Sequence, residues 1–240
     1  MEIDTLRQWA DTADSIVFFG GAGVSTASGI PDFRSPDGLY NIKYTRPPEE
    51  MLSADFFAAH PREFYRFYFD KMVYAKARPN AAHTALARGE RQGKITAVVT
   101  QNVDGLHQAA GSKRVYELHG SVHRNYCLAC GREYPLAEIS ARHGAAADGV
   151  PRCDCGGMLK PSVVLYGEPL PDATVAGAVA AIRACDLLII GGTSLSVYPA
   201  AGFVRLARGR IALINKTATA CDDAADLVIR DSVEILAGLF

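Results

Sequence analysis

No apolar run in this 240-residue chain approaches the ~20 residues needed to cross a bilayer, which argues against a helical membrane span. The opening residues, Met1-Glu2-Ile3-Asp4-Thr5-Leu6, lack a basic segment followed by an apolar core. No secretory signal is visible there, and a cytoplasmic address is expected. An excess of charge of one sign is also missing: 25 Lys plus Arg stand against 26 Asp plus Glu, for a net charge of -1. That balance removes the overall electrostatic case for binding nucleic acid or an anionic membrane. Internal repeats and low-complexity tracts are absent. Cysteine is sparse, with six residues, but its placement is informative. Cys127, Cys130, Cys153 and Cys155 form two close pairs, which in a chain without a signal favours metal over disulfide. Cys185 and Cys221 lie in or beside apolar segments and read as small buried residues.

What the chain does have is enough length to bury a sizeable core and a recurring pattern. Short apolar runs bounded by turn residues occur at 16–19, 95–99, 187–190, 211–214 and 227–229. Ala-rich stretches of helical spacing lie between several of them, at 81–92, 173–184 and 200–208. Continuous apolar strands alternating with helices predict an α/β fold, a Rossmann-like parallel sheet with helices on both faces. Ligands of such sheets gather at the carboxyl ends of the strands. Gly20, Thr100-Gln101-Asn102, Gly191-Gly192-Thr193-Ser194 and Asn215 each follow one of these runs, so one shared site is expected. Two regions interrupt the pattern. Residues 37–79 are aromatic and helical and read as a helical pair packing its own small core. Residues 121–160 hold the paired cysteines among Gly, Pro and charged residues; such a segment cannot build a core alone and suggests a metal-stapled module. The predicted division is a sheet domain from 1–36, 80–120 and 161–240, with 37–79 and 121–160 forming a small insertion domain.

Three constellations carry chemistry. Gly20-Gly21-Ala22-Gly23 leaves the first strand, where glycines let the backbone turn and approach a phosphate, and a following helix N-terminus would offer free N–H groups. Gly21-x-Gly23 alone is a weak signal, and Thr26 stands where the dehydrogenase fingerprint asks for a third glycine. Pro31-Asp32-Phe33-Arg34 then supplies a carboxylate, an aromatic face and a guanidinium. Gln101-Asn102-Val103-Asp104 follows the second strand, with amides and a carboxylate suited to ribose hydroxyls and a carboxamide. Asn102 and Asp104 could equally form a turn, and His107 could cap or pack within its helix. His119 is suited to proton transfer near neutral pH, or it could be structural. Cys127-x-x-Cys130 and Cys153-x-Cys155 offer four thiolates for a closed, tetrahedral and therefore structural zinc.

The arrays Gly-Ala-Gly-x-Ser-Thr-x-Ser-Gly-Ile-Pro-Asp-Phe-Arg, Thr-Gln-Asn-x-Asp-x-Leu-His, Leu-His-Gly, Val-Val-x-Tyr-Gly-Glu and Gly-Thr-Ser-Leu-x-Val-x-Pro-Ala run in order over residues 20–200. Together they resemble the sirtuins of bacteria, NAD-consuming protein-lysine deacylases. The resemblance implies that Ala22, Thr26 and Arg34 hold the pyrophosphate and neighbouring ribose while Phe33 shields the reacting sugar. It gives Gln101 and Asn102 to the nicotinamide ribose and Val103 and Asp104 to the carboxamide. Thr193, Ser194, Asn215 and Ser232 would line the adenosine half, Ser232 resting on the short Arg230-Asp231-Ser232 match alone. His119 would be the general base, with Asn102 beside it in catalysis. Val164, Tyr166, Gly167 and Glu168 would face an acetylated protein or peptide laid in as an added strand. The acyl oxygen would displace nicotinamide at the anomeric carbon, and His119 would then activate a ribose hydroxyl. NAD would thus be a consumed co-substrate, and free lysine, nicotinamide and O-acetyl-ADP-ribose the products. The family's second cysteine pair is usually one residue longer, which leaves a zinc-filled and a weakly metallated module both open.

The branch of the family that takes acidic acyl chains carries a Tyr-x-x-Arg pair; the matching residues here are Tyr65 and Tyr68. Without a guanidinium a succinyl carboxylate would be unpaired, so deacetylation is expected, with longer apolar acyl groups as the alternative. Three rivals remain: a nicotinamide-dependent oxidoreductase, a protein mono-ADP-ribosyltransferase, and a non-enzymatic NAD-sensing or zinc-ribbon module.

Overall fold

The computed structural model describes residues 2–33, 38 and 46–240, so the expected site residue Arg34 lies outside the described residues. Helix α1 (Glu2–Thr12) leads into β1 (Ile16–Gly20), whose five residues are all buried. Burial on both sides follows from its place in the sheet. β2 (Ile95–Thr100), β3 (Val115–Glu117), β7 (Leu187–Gly191), β8 (Arg210–Ile214) and β9 (Leu227–Ile229) join it in the order β3-β2-β1-β7-β8-β9. Every pairing is parallel. Alternate β1 side chains feed two cores. Ile16 and Phe18 pack with α1 and with Ala82, Ala85 and Leu86 of α5 (Ala81–Arg91). Val17 and Phe19 pack with Ala178 and Ile182 of α8 (Asp172–Ala184) on the other face. A strand repeat of two splitting its apolar residues between two helix layers explains why these runs read as uninterrupted apolar sequence.

The chain winds outward from β1 in both directions, so β1 and β7 flank a topological switch. Register lines up the strand ends there: Gly20 pairs with both Thr100 and Gly191, and Gly191 with Ile214. Loops leaving these ends open into one crevice.

Two expected helices need correction. Among the described residues no α-helix starts directly at the exit of β1; the chain makes two short 3-10 turns, Ala22–Val24 and Thr26–Ser28. Ser25 between them is buried with its hydroxyl donated to Asp104, and Pro31 cannot continue a helix. The stretch at 200–208 likewise forms a 3-10 helix, Ala200–Leu206, where Gly202 and Val204 weaken an α-helix.

The interrupting segments pack together. Helices α2 (Pro48–Met51), α3 (Ala54–Ala59) and α4 (Pro61–Lys71) carry Met51, Phe57, Phe64, Tyr65 and Tyr68. These residues share one core with Val122, Cys127, Tyr134, Ile139 and Leu159. The second group belongs to a three-stranded antiparallel sheet of β5 (Glu133–Pro135), β4 (Gly120–Cys127) and β6 (Leu159–Val163), together with α7 (Leu136–Ala145). The helical pair therefore has no core of its own; the cysteine-bearing sheet supplies its other half. Burial of large aromatics contributes most of the apolar area in such a core.

Helix α5 is tied to the site by its cap. The Asn80 side chain accepts from Ala82 N and His83 N, while its Nδ2 donates to Val24 O at 2.7 Å and Ser28 Oγ at 3.0 Å. One side chain thus closes the helix and pins the loop after β1. Asn80→Ala is expected to cost about 1–2 kcal/mol in urea unfolding, more than a simple cap loss at the low end. An unchanged unfolding midpoint would contradict this double role.

Candidate active site

The crevice is a cavity of about 760 Å³. Its floor is backbone in close approach. Gly23 N donates to Gly192 O at 2.8 Å, and a Cβ on Gly23 would sit 2.9 Å from Gly192 Cα. No side chain fits between the two loops, which leaves a cradle open to a ligand.

Loops from β1 and β2 meet above it. Ser25 Oγ donates to Asp104 Oδ2 at 2.6 Å and accepts from Asn102 Nδ2 at 3.1 Å. Asp104 Oδ1 also accepts Leu106 N at 2.9 Å at the start of α6 (Leu106–Ala110). Asp104 therefore does form a turn, but its carboxylate is simultaneously aimed through Ser25 at Asn102. Thr193 Oγ1 donates to Gln101 Oε1 at 2.9 Å; Gln101 Nε2 is buried without a partner among the described residues. An unpaired amide donor on a cavity wall is costly unless a ligand acceptor meets it.

His119 follows β3. Its Nδ1 lies 3.0 Å from the Gln101 carbonyl, which makes Nδ1 the protonated nitrogen and leaves Nε2 as the basic one. Burial pulls the His119 pKa below its ordinary 6.5, partly opposed by that hydrogen bond. The ring is thus neutral at physiological pH and able to accept a proton. Its own carbonyl accepts Val164 N at 2.9 Å, so the base and the wall opposite are directly connected.

Of the residues assigned to NAD or substrate by the resemblance, all the described ones line this cavity, whereas Gly20, Thr100, Gly191 and His107 do not. Ala22, Thr26 and Phe33 come from the loop after β1; Gln101, Asn102, Val103 and Asp104 from that after β2. His119, Val164, Tyr166, Gly167, Glu168, Thr193, Ser194, Asn215 and Ser232 complete the set. Sequence reasoning missed Ser25 as a linking residue, although it stands inside the quoted Gly-Ala-Gly-x-Ser-Thr array. It also missed Leu52, Lys71, Met72 and Tyr74 on the helical side, which carry no motif. Tyr65 and Tyr68 do not line the cavity: both are fully buried in the core shared by the helices and the small sheet, and Tyr65 Oη donates to Leu159 O. The apolar wall is instead Phe33, Leu52, Met72, Val163 and Leu165, and the cation beside it, Lys71, lies 3.0 Å from Asp70 Oδ2.

The four cysteines meet away from this cavity. Their sulfurs all lie within 4.8 Å of one another, with Cys127 to Cys155 at 3.5 Å and Cys130 to Cys153 at 3.6 Å. Tetrahedral zinc with Zn–S bonds of about 2.3 Å requires sulfurs about 3.8 Å apart, so the set fits. The shortened Cys153-x-Cys155 pair is accommodated because Gly157 lets Cys127 Sγ approach; a Cβ there would lie 2.6 Å from that sulfur. Tyr134 Oη donates to Cys153 Sγ at 3.0 Å as an outer support. Cys185 and Cys221 are buried apart from the cluster.

Comparison with known proteins decides the family. The Sir2 family profile matches residues 21–199. The chain belongs to the Sir2 family. Among curated Sir2 relatives, the NAD-dependent protein deacetylase of Clostridium acetobutylicum is 55% identical over 236 residues, 97% of this chain and 95% of that protein. The corresponding protein of Cutibacterium acnes is 54% identical over 96% of this chain and 93% of its own. A Sir2 structure with a deacetylated p53 peptide and 3′-O-acetyl ADP ribose superposes with a TM-score of 0.91 at 38% identity, over 100% of this chain and 97% of that one. A Sir2 complex with a p53 peptide and NAD+ gives 0.89 at 37% identity, over 99% and 96%.

Behind the Sir2 cavity lie two further histidines. His83 and His107 rings contact at 4.7 Å and both are buried. His83 Nδ1 accepts Asn80 N in the cap, so protonation there would destroy an acceptor. Burial lowers His83 to about 4, against an opposing pull from Asp104. Burial and then His83 itself hold His107 well below the ordinary value. Both folded values are depressed, so below pH 6.5 the unfolded chain takes up protons that the folded chain refuses. Stability is complete above 6.5 and is lost as pH falls, by about 1.4 kcal/mol per pH unit for each histidine. Urea midpoints at pH 7.5 and 5.5 test this; equal midpoints would refute it. Among the described residues, no helix is long and apolar enough to cross a membrane.

Proposed function

We propose that the chain is an NAD-dependent protein-lysine deacetylase. The observation that carries this is a neutral His119, tied through Nδ1 to Gln101, in the same cavity as the Ser25–Asn102–Asp104 network and the Gly23–Gly192 cradle. Bound NAD supplies a cationic nicotinamide as leaving group. The residues do the rest. Ala22, Thr26 and Arg34, with the backbone of the cradle, hold the pyrophosphate; Thr193, Ser194, Asn215 and Ser232 hold the adenosine half. Gln101 and Asn102 fix the inner ribose, and the unpaired Gln101 Nε2 supplies a donor for it. Val103 and Asp104 take the carboxamide. Phe33 shields the sugar face from water, and His119 Nε2 removes a proton from the ribose hydroxyl. Holding the acyl oxygen against the anomeric carbon accounts for much of the barrier reduction.

Val164, Tyr166, Gly167 and Glu168 form the peptide wall, with acetylated proteins or peptides as partners and neither membrane nor nucleic acid. An apolar wall whose nearby cation is already paired with Asp70 favours acetyl over acidic acyl groups. The cysteines hold a structural zinc. Residues 1–36, 80–120 and 161–240 make the NAD-binding unit, with 37–79 and 121–160 the smaller one, and the protein acts in the cytoplasm.

The test is product assignment by mass with an acetyl-lysine peptide and NAD labelled in its adenylate half. Peptide-dependent nicotinamide with label in O-acetyl-ADP-ribose is expected. Label retained on protein would replace this reading with ADP-ribosyl transfer. Reduced nicotinamide with the dinucleotide intact would indicate an oxidoreductase.

A further inference from the structure

The wall at residues 163–168 is held by a group that the proposed chemistry does not use. Lys160, on β6, is buried at 6% exposure. Its Nζ donates to Pro161 O at 3.3 Å, Val163 O at 3.2 Å and Glu168 Oε2 at 3.0 Å. Three donors meet three acceptors, and none is left over. Glu168 Oε2 also accepts Leu165 N at 2.9 Å, and Glu168 N returns to Leu165 O at 2.9 Å. Although Glu168 lines the cavity, its Oε2 is therefore engaged in closing a loop.

Other backbone groups of the segment are bonded as well. Val164 N goes to His119 O, Tyr166 N to Leu52 O, and Tyr166 O accepts Ala54 N, each at 2.9 Å. Lys160 takes the Val163 carbonyl and Glu168 the Leu165 carbonyl. Of the carbonyls from Val163 to Tyr166, only that of Val164 accepts no hydrogen bond among the described residues. Val164 lines the cavity. Burying an ammonium is expensive, and an apolar residue of similar length would serve packing alone as well or better. A charge retained at this place points to a geometric task.

We propose that Lys160 is a positioning residue for the acyl-peptide, its buried ammonium clipping the 163–168 segment so that the Val164 carbonyl is presented to the substrate. This rests on the deacetylase reading above. Lys160 acts through Val163 and Glu168 and touches no reacting atom.

Lys160→Met keeps length and removes the charge. It is expected to raise the peptide KM by about tenfold or more, while kcat stays within about threefold and ADP-ribose affinity is unchanged. Lys160→Arg, which keeps charge and donors, is expected to recover most of the loss. A folded Lys160→Met protein with unchanged peptide KM would overturn the inference. So would a parallel fall in kcat and ADP-ribose affinity, which marks general loosening. Should Lys160→Met not fold, Glu168→Gln retains an acceptor for Leu165 N without the charge; a peptide KM unchanged there also overturns it. Wild-type protein separates the two levels. No peptide-dependent nicotinamide release from wild type sinks the deacetylase reading and this inference together, whereas active wild type with an unaffected Lys160→Met variant sinks only the latter.

Discussion

His119→Ala is expected to lower peptide-dependent nicotinamide release by about 10²–10⁴-fold, the range for loss of a positioned general base. Binding of ADP-ribose should be little changed, because the cradle and the loops after β7 and β8 do not depend on the imidazole. The geometry also sets a pH signature. Burial holds the ring below 6.5, so the neutral form survives to lower pH than for an exposed histidine. Wild-type kcat/KM should therefore rise with pH through a midpoint below 6.5 and be flat above neutrality; the alanine variant should lack that limb. An acid limb centred at or above 6.5, or one that persists in the variant, would remove His119 from the role of base.

Stripping the metal is expected to have the second largest effect. The four sulfurs fit one tetrahedral ion, and two of them, on Cys127 and Cys153, belong to the core that packs the aromatic helices. Removing an ion from such a cluster leaves thiols that must reprotonate and a sheet that loses its end constraint. Purified protein should hold one zinc per chain. Cys127→Ser, or chelation, should lower the melting temperature by roughly 10 °C or more, corresponding to several kcal/mol. Peptide turnover should fall with it, because the β4–β6 sheet carries the Val163–Glu168 wall. Metal-free protein that melts and turns over like the native form would show the cluster to be dispensable.

The large sheet could be read from the sequence because its strands are buried on both faces and stand out as short apolar runs. β3 escaped notice: it is a three-residue edge strand, Val115–Glu117, too short for a periodic signal. The helix expected after β1 was wrong for a local reason, since Ser25 is drawn inward by Asp104 and Pro31 interrupts propagation. The small antiparallel sheet was hidden because thiolates, turns and borrowed aromatics replace apolar alternation there. In the candidate site, residues named from ordered arrays converge on one cavity, whereas Lys71, Met72 and Tyr74 reach it only through the way α4 packs. Tyr65 and Tyr68 carry the same lesson: the family resemblance placed them at the acyl end, but their rings fill the core.

The cavity is a seam between the parallel sheet, with a core on each face, and the core shared by the helices and the small sheet. Its floor belongs to the sheet and its apolar wall to the shared core. Leu52, Met72, Val163 and Leu165 belong to the core against which Phe33 and Val103 also pack, so changes there reach the nicotinamide end. Substitutions far apart with no common partner act additively, which leaves the adenosine half untouched. Selection can retune what this protein acts upon while the adenosine end is inherited unaltered.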